Sequence, residues 1–328
     1  VIVVDTFAGP GGWDLSARSL GVDPIGVELD RHACATRAAA GLRTVRADVA
    51  AFPLGHFPPV DGVLASPPCP PFSAAGKTRG TADLEALAEH AGLVERRGSW
   101  CPLPERRWAD PRSPLVIEPL RWTVELAPRW IVVEQVPPVL GLWQRFGSVL
   151  ASFGFSWWAG ILNAADFGLA QTRRRAILIA RRDAPACPPV PTHAAVPGEA
   201  GLFGPALAPW VTMGSALGWG AGSRPAWVFE RPSTTIVGSF RPDLVAPPTY
   251  RAFGAPPRQQ TPGAVAITLA EALTLQGFPP DFPVQGPKTA RWLQVGNAVP
   301  PPLARAVLGC VGLDRAPAPA FGDVERPE

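Results

Sequence analysis

Gly62-Val63-Leu64-Ala65-Ser66-Pro67-Pro68-Cys69-Pro70-Pro71-Phe72-Ser73 sets a single cysteine behind a proline pair, directly after a short apolar run. Four apolar residues bounded by turn-formers read as a buried strand of a parallel sheet. The cysteine then falls in the loop beyond the strand's carboxyl end, where open α/β sheets build their sites. Proline fixes its own φ and restricts the residue before it, so Pro67 and Pro68 confine the thiol to a narrow range of positions. Free cysteine is also among the most buried residue types. Taken alone, the loop leaves catalysis and core filling equally open.

Upstream, Val1-Ile2-Val3-Val4-Asp5 is a first buried strand, and Thr6-Phe7-Ala8-Gly9-Pro10-Gly11-Gly12-Trp13 is a glycine-rich turn feeding a helix from near Gly12. Glycine lets the backbone approach a ligand, and the helix start offers free N–H groups. The strand Pro24-Ile25-Gly26-Val27-Glu28 ends on an acid roughly 20 residues later, where nucleotide-binding α/β folds hold ribose hydroxyls. Arg43-Thr44-Val45-Arg46 leads to Asp48, a second strand-end acid placed to hold an adenine amino group. Either acid could instead cap a helix. The turn is not GxGxxG and no P-loop lysine follows it, which disfavours hydride and phosphoryl transfer. An adenosine-type cofactor beside an activated thiol points to covalent group transfer.

Downstream, Arg129-Trp130-Ile131-Val132-Val133-Glu134-Gln135-Val136 is another buried strand, and Glu134 at its end should open into the same crevice as Cys69. It is a candidate acid or a cap for the next segment. Gln171-Thr172-Arg173-Arg174-Arg175 precedes the strand Ala176-Ile177-Leu178-Ile179-Ala180. Alternation sends Gln171, Arg173 and Arg175 to one face. There a guanidinium can neutralise a phosphate or clamp a ring oxygen, although arginine runs also suit a solvated edge.

The 328 residues suffice for one large domain or two unequal ones. At 47% hydrophobic and 17% charged, the chain has ample material for a core. A net charge of only +3 means that any nucleic-acid contact must come from local arginine clusters. The five cysteines are scattered and odd in number, so neither zinc nor a closed disulfide set is expected, and no metal site is assigned. No segment reaches membrane-spanning length, and the opening strand leaves no signal peptide, which predicts a cytoplasmic protein with reduced thiols.

Taken in order, these segments resemble the cytosine-C5 DNA methyltransferases along nearly the whole chain. The stretch from Asp5 to Gly12 is similar to the family's S-adenosylmethionine turn, and the Pro67-Pro68-Cys69 loop to its catalytic loop. Glu134 stands where the family has Glu-Asn-Val, and Gln171, Arg173 and Arg175 match Gln-x-Arg-x-Arg. Gln294-Val295-Gly296-Asn297-Ala298-Val299-Pro300-Pro301 resembles the closing motif that returns to the cofactor site. Two departures stand out. Pro70-Pro71 follows the cysteine in place of Gln-Gly or Gln-Pro, and Gln135 replaces the asparagine after the glutamate, where its length could upset bonds that orient the loop.

The resemblance implies an α/β, Rossmann-like S-adenosylmethionine-dependent methyltransferase sheet with a smaller, irregular DNA-recognition lobe. It implies catalytic roles for Cys69, Glu134, Arg173 and Arg175. S-adenosyl-L-methionine, leaving as S-adenosyl-L-homocysteine, would be held by Phe7, Ala8, Gly9, Gly11, Gly12, Glu28, Leu29, Asp48, Val49, Pro68, Asn297, Ala298 and Val299. Ser73, Gln171, Arg231, Arg241, Arg251 and Arg258 are the expected DNA contacts. The implied reaction adds Cys69 to C6 of a cytosine flipped out of the duplex, after which C5 takes the methyl group. Double-stranded DNA is the expected partner, with a cognate restriction endonuclease beside a monomeric, prokaryotic or phage-encoded enzyme. Transfer to tRNA cytosine, a DNA-binding relative without turnover, and a nicotinamide oxidoreductase are the rival readings.

Residues 1–182 and 288–315 are expected to form the catalytic and cofactor-binding domain, 183–287 the target-recognition domain, and 316–328 a loose tail. Residues 77–110 should contain the mobile catalytic loop and a short helix at 82–91. A helix over Leu303-Ala304-Arg305-Ala306-Val307-Leu308 should pack back on the catalytic lobe. Trp210, Trp219 and Trp227 are assigned to the small lobe's core in preference to base contacts.

Overall fold

The computed structural model describes residues 1–73, 78–197, 206–238, 242–247 and 261–313. Arg241, Arg251, Arg258 and the expected tail lie outside the described residues.

Seven strands form the central sheet: β1 (Val3–Thr6), β2 (Ile25–Glu28), β3 (Thr44–Arg46), β4 (Gly62–Ala65), β5 (Trp130–Gln135), β6 (Ser156–Asn163) and β7 (Arg174–Arg181). Their spatial order is β3-β2-β1-β4-β5-β7-β6. The first five are parallel, while β7 runs antiparallel between β5 and β6. The sheet is therefore mixed, and β6, with Trp157 and Trp158, is a strand beyond those expected from the sequence. Because β7 is reversed, its start lies at the carboxyl ends of β1, β4 and β5. Arg175 and Ala176 thus sit level with the end of β5, where Gln135 pairs with Ala176.

Strand residues alternate between two apolar layers, as a period of two requires. Val4, Val63, Val133 and Leu178 face a core built with α4 (Glu118–Leu126), α5 (Leu140–Ser152) and α3 (Leu84–Arg97). Val3, Leu64, Val132 and Ile179 face α1 (Gly12–Arg18) and α10 (Pro301–Gly309). The helix expected from Leu303 thus packs on the catalytic lobe, through Leu303, Val307 and Leu308. Gly62 and Trp130 are register partners, and a Cβ on Gly62 would lie 2.0 Å from the indole, so only glycine admits that ring.

A third apolar cluster forms the smaller lobe. It combines Met213 of α6 (Met213–Ala216), Val228 of α7 (Trp227–Glu230), Ile236, Val245 and Ile267 with α8 (Leu269–Leu275), whose Thr268–Glu271 capping box fixes its start. Trp292 and Val295 of α9 (Lys288–Asn297), with Ala298 just beyond it, join the same cluster, which also holds Phe278, Phe282 and Val284 on the other side of 287/288. Trp219 and Trp227 pack against this cluster, and Trp210 donates to Asp166 of the larger lobe.

Below the glycine turn lies a buried ionic cluster that the sequence reading missed. Arg37 on α2 (Arg31–Ala39) makes a two-pronged pair with Asp14 on α1, at 2.8 and 2.7 Å. It also donates to Thr44 Oγ1 and to the carbonyls of Ala8 and Arg43. Asp5 sits beside them fully buried, and burial, with Asp14 adjacent, pushes its carboxyl well up toward the neutral form. Neither Asp5 oxygen has a hydrogen-bond partner, so the bonded charges of the cluster are those of Arg37 and Asp14. Removing one member of a buried pair strands the other, at a typical cost of about 3–5 kcal/mol. Arg37→Met should lower urea-unfolding stability by about that much, with loss of cofactor-turn order. A midpoint within 1 kcal/mol of wild type (roughly a fivefold change) would show that the cluster holds nothing.

Candidate active site

Two adjoining clefts open at the carboxyl edge of the sheet and share Phe7, Glu28, Asp30 and Pro68. The first, about 260 Å³, is walled by the glycine turn, the Pro67–Cys69 loop, Glu134, Arg173, Arg175 and the end of α9. The second, about 520 Å³, is lined by Leu29, Asp48, Val49 and Leu115.

The glycine turn is shaped by three unusual backbone conformations: Phe7 at φ 58°, Gly9 at φ 52° and Gly11 at φ 105°. Gly11 is the residue before α1 and does not line either cleft. A Cβ there would lie 2.3 Å from Leu42, so its place in the turn is conformational. Gly12 meets Val299, whose carbonyl oxygen would be 2.0 Å from an added Cβ. That contact seats the closing motif against the turn. Over Gly9 the space is open, with no atom within 4 Å of a Cβ position, so a ligand can lie on the backbone there.

Glu28 accepts the amide of Gly9 at 2.8 Å and that of Asp30 at 2.7 Å. Asp30, not Glu28, caps α2, by accepting from His32 and Ala33. Each oxygen of Glu28 keeps a lone pair for a hydroxyl donor. Asp48 accepts the amide of Ala50 and is otherwise exposed at the second cleft, beside the exposed Leu29. Asn297, Ala298 and Val299 line the first cleft together with Ala8 and Gly12 of the turn. An open glycine, two clefts in series and an acid at each strand end fit an adenosine-bearing cofactor.

Cys69 is half-buried, and its carbonyl accepts the amides of Phe72 and Ser73 in a tight turn after Pro70-Pro71. Phe72 anchors that turn in the core. Gln135 resolves one departure from the family pattern. Its Nε2 donates to the Pro67 carbonyl at 2.9 Å, and its Oε1 accepts the amide of Val136. The longer amide thus reaches the loop and ties it to β5. Residues 78–112 are a packed unit, with α3 extending to Arg97 well past the expected 82–91. Residue 77, where the stretch expected to hold the mobile loop begins, lies outside the described residues.

Glu134 and Arg175, both buried, form an ion pair at 2.7 Å beside Cys69. Burial pushes the Cys69 thiol up, Arg175 and, more weakly, Arg173 pull it back, and Glu134 opposes them. Arg173 is wholly buried. It donates to the carbonyls of Ile236, Gly296 and Ala298, and burial, with Arg175 nearby, disfavours its charge. It borders the cleft beside Arg175, and those bonds fix its guanidinium in place. Gln171 is corrected as a DNA contact. It is buried, donates to Leu275 and Gln276, and accepts from Ile236, so it joins the lobes and cannot face a duplex. Arg231 is exposed and remains available, and Ser73 is half-buried in the cysteine turn.

Several side-chain roles escaped the sequence reading. Gln276 donates to the carbonyl of Val295, and Gln294 bonds Thr36 and Gln285, so α9 is held from both sides. No local spacing singles out these amides, since their partners lie far away in the chain. Asp110 and Arg112 do carry a local signal, an acid and an arginine two residues apart that can form a fork.

The sequence model of the C-5 cytosine-specific DNA methylase family matches residues 1–96, 104–194 and 240–312. The chain is 28% identical to the type II methyltransferase M1.HphI of Haemophilus parahaemolyticus, over 94% of this chain and 86% of that protein. It is 28% identical to M.NaeI of Lentzea aerocolonigenes, over 93% and 73% respectively. Among solved structures it is similar to an Escherichia coli prophage-encoded putative DNA modification methyltransferase (TM-score 0.58, 19% identity, 95% of this chain and 98% of that one). The S. pombe Dnmt2 methyltransferase superposes with a TM-score of 0.62 at 14% identity, over 95% and 98% of the two chains. At those identities the structural likeness concerns the fold.

The electrostatics around Cys69 fix the sign of a pH effect. Only the thiolate is alkylated, and the raised thiol should make iodoacetamide labelling of Cys69, followed by mass spectrometry, climb at higher pH than for a free cysteine. Arg175→Gln removes a lowering charge and should move the profile further up, whereas Glu134→Gln should move it down. The opposite order would refute this assignment of charges.

Proposed function

The chain belongs to the C-5 cytosine-specific DNA methylase family, and on that premise we propose that it methylates C5 of a cytosine flipped out of double-stranded DNA through a Cys69 adduct. The observation that carries the reading is the convergence of Cys69, the Glu134–Arg175 pair and the open glycine turn on one cleft.

Phe7, Gly9, Glu28, Leu29, Asp48 and Asn297 would hold S-adenosyl-L-methionine across the two clefts. When bound, it supplies an electrophilic sulfonium methyl group. Cys69 loses its proton and adds to C6, which makes C5 nucleophilic. Glu134 donates a proton to N3, which neutralises the negative charge that addition drives into the ring. Arg175 uses Nε for Glu134 and Nη1 for the Arg174 carbonyl, leaving Nη2 as the donor for the base carbonyl O2. Gln135 holds Pro67, and so the thiol, at the cleft. After a base removes the C5 proton, Cys69 departs by elimination and the ring regains its conjugation. The site must exclude stacked neighbours, so the cytosine enters extrahelically.

Type II relatives support a modification role beside a restriction endonuclease that reads the same site, in a cytoplasmic setting. Among the described residues no helix is long and apolar enough to cross a membrane. The lobe built on Met213, Val228 and Val265 is the proposed recognition domain, with Arg231 among its contacts.

Methyl transfer from labelled S-adenosylmethionine should label unmethylated genomic DNA and leave bulk tRNA unlabelled, with Cys69→Ala inactive on both. Labelling of tRNA alone would move the substrate to RNA. Cofactor binding without transfer would identify a DNA-binding relative. Gln135→Met, which keeps volume and removes both loop bonds, should lower kcat about 10- to 100-fold (about 1.4 to 2.8 kcal/mol) and leave cofactor Kd unchanged. An unaltered kcat would assign loop placement to the prolines alone.

A further inference from the structure

The family match pauses at residues 97–103, inside a segment that joins α3 to α4. In this segment the apolar and basic residues separate. Trp100, Cys101, Leu103 and Trp108 pack on the larger core, and His90 pins the chain by donating Nε2 to the Cys101 carbonyl at 2.9 Å. Arg97, Arg106 and Arg107 stay exposed, and Arg106 stacks over Trp108 at 4.9 Å. A held backbone with outward guanidinium groups is a preorganised cationic surface. It is conspicuous in a chain whose net charge is only +3.

The far end of the arm reaches the catalytic loop. Asp83 accepts the amides of Ala109 and Asp110, and Asp110 grips Arg112 through two side-chain bonds at 3.0 and 2.8 Å. Gly80, three residues before Asp83, donates to the carbonyl of Pro71 and leaves no room for a side chain against Pro71 and Ser113. Arg112 keeps 48% of its side chain exposed, and its bonds to Asp110, with Cys69 also near, favour its charge. From Arg107 to Arg112 an extended chain spans at most ~17 Å. That is about five nucleotide steps along one strand, at ~3.4 Å each.

We propose that residues 97–112 form a DNA-backbone arm that lays Arg106 and Arg107 on duplex phosphates a few nucleotides from the flipped cytosine. The inference rests on the DNA reading above and adds a contact surface on the catalytic lobe. Phosphate contacts set register and affinity without reading sequence, so the arm acts on any duplex. Polyanion binding releases counterions, and each phosphate neutralised adds about 0.9 to the log–log salt slope.

The test measures binding apart from turnover, by fluorescence anisotropy of a random-sequence duplex with S-adenosylhomocysteine present, across a salt series. Arg106→Gln/Arg107→Gln should weaken duplex binding roughly tenfold and make the salt slope shallower by about 1.8 (two phosphates at about 0.9 each). Arg106→Lys/Arg107→Lys should restore most of both. A glutamine pair with wild-type affinity and slope overturns the arm, as does a loss that lysine fails to restore, since that would mark a packing role. Wild-type duplex binding without methyl transfer would count against the proposed reaction and leave the arm standing.

Discussion

The antiparallel pairing of β7 against β5 is the constraint on which the site depends. A parallel β7 would begin at the opposite edge of the sheet and carry its arginines away from Cys69. Reversed, it delivers Arg175 beside Glu134 at the carboxyl ends of β4 and β5. The two-residue period then places Arg173 and Arg175 on the same side as Ile177 and Ile179, toward α1 and α10. Gln135 points to the other side, where Pro67 needs a donor. One strand pair therefore supplies an ion pair on one face and a loop tether on the other.

The residues preceding β7 connect this edge to the smaller lobe. Gln171 is held by Leu275, Gln276 and Ile236, and Arg173 by Ile236, Gly296 and Ala298 through its two Nη atoms. A buried amide or guanidinium left unpaired costs its full desolvation, so these contacts act together to fix one arrangement of the lobes. Two of those carbonyls, of Gly296 and Ala298, flank Asn297 where the end of α9 lines the first cleft. Placement of Asn297 is thus set by the same bonds that seat the smaller lobe.

Much of the catalytic lobe could be read from the chain because its signals are local. β4 matches the apolar run Gly62–Ala65, and α1 begins at Gly12, where the glycine turn ends. Cys69, Glu134 and Arg175 fall where strand ends meet the crevice, as sheet topology dictates. Side-chain destinations were less legible. Gln171 and Arg173 share their motif with Arg175, yet their partners lie more than 60 residues away in sequence. Nothing in a pattern of period two distinguishes a residue aimed at a base from one aimed at a neighbouring lobe. β6 was missed for a related reason: its half-buried residues, Ser156 to Asn163, lack both clean alternation and a continuous apolar run. Around 287/288 packing and cleft overlap, since α9 contributes apolar residues to the third cluster while its end lines the first cleft.

Where the lobes cross, backbone meets backbone. A Cβ on Gly296 would fall 2.0 Å from the amide nitrogen of Gly238, and one on Gly238 would fall 2.7 Å from Leu293 Cα. The crossing therefore behaves as a keyed joint, whose fit depends on two absent side chains. For engineering, this sets where a recognition module can be exchanged between homologues. A graft that carries its own counterpart of Gly238, together with acceptors for Gln171 and Arg173, meets the catalytic half on the existing key. One cut between Ile236 and Gly238 instead mismatches the joint, whatever target sequence the imported module reads.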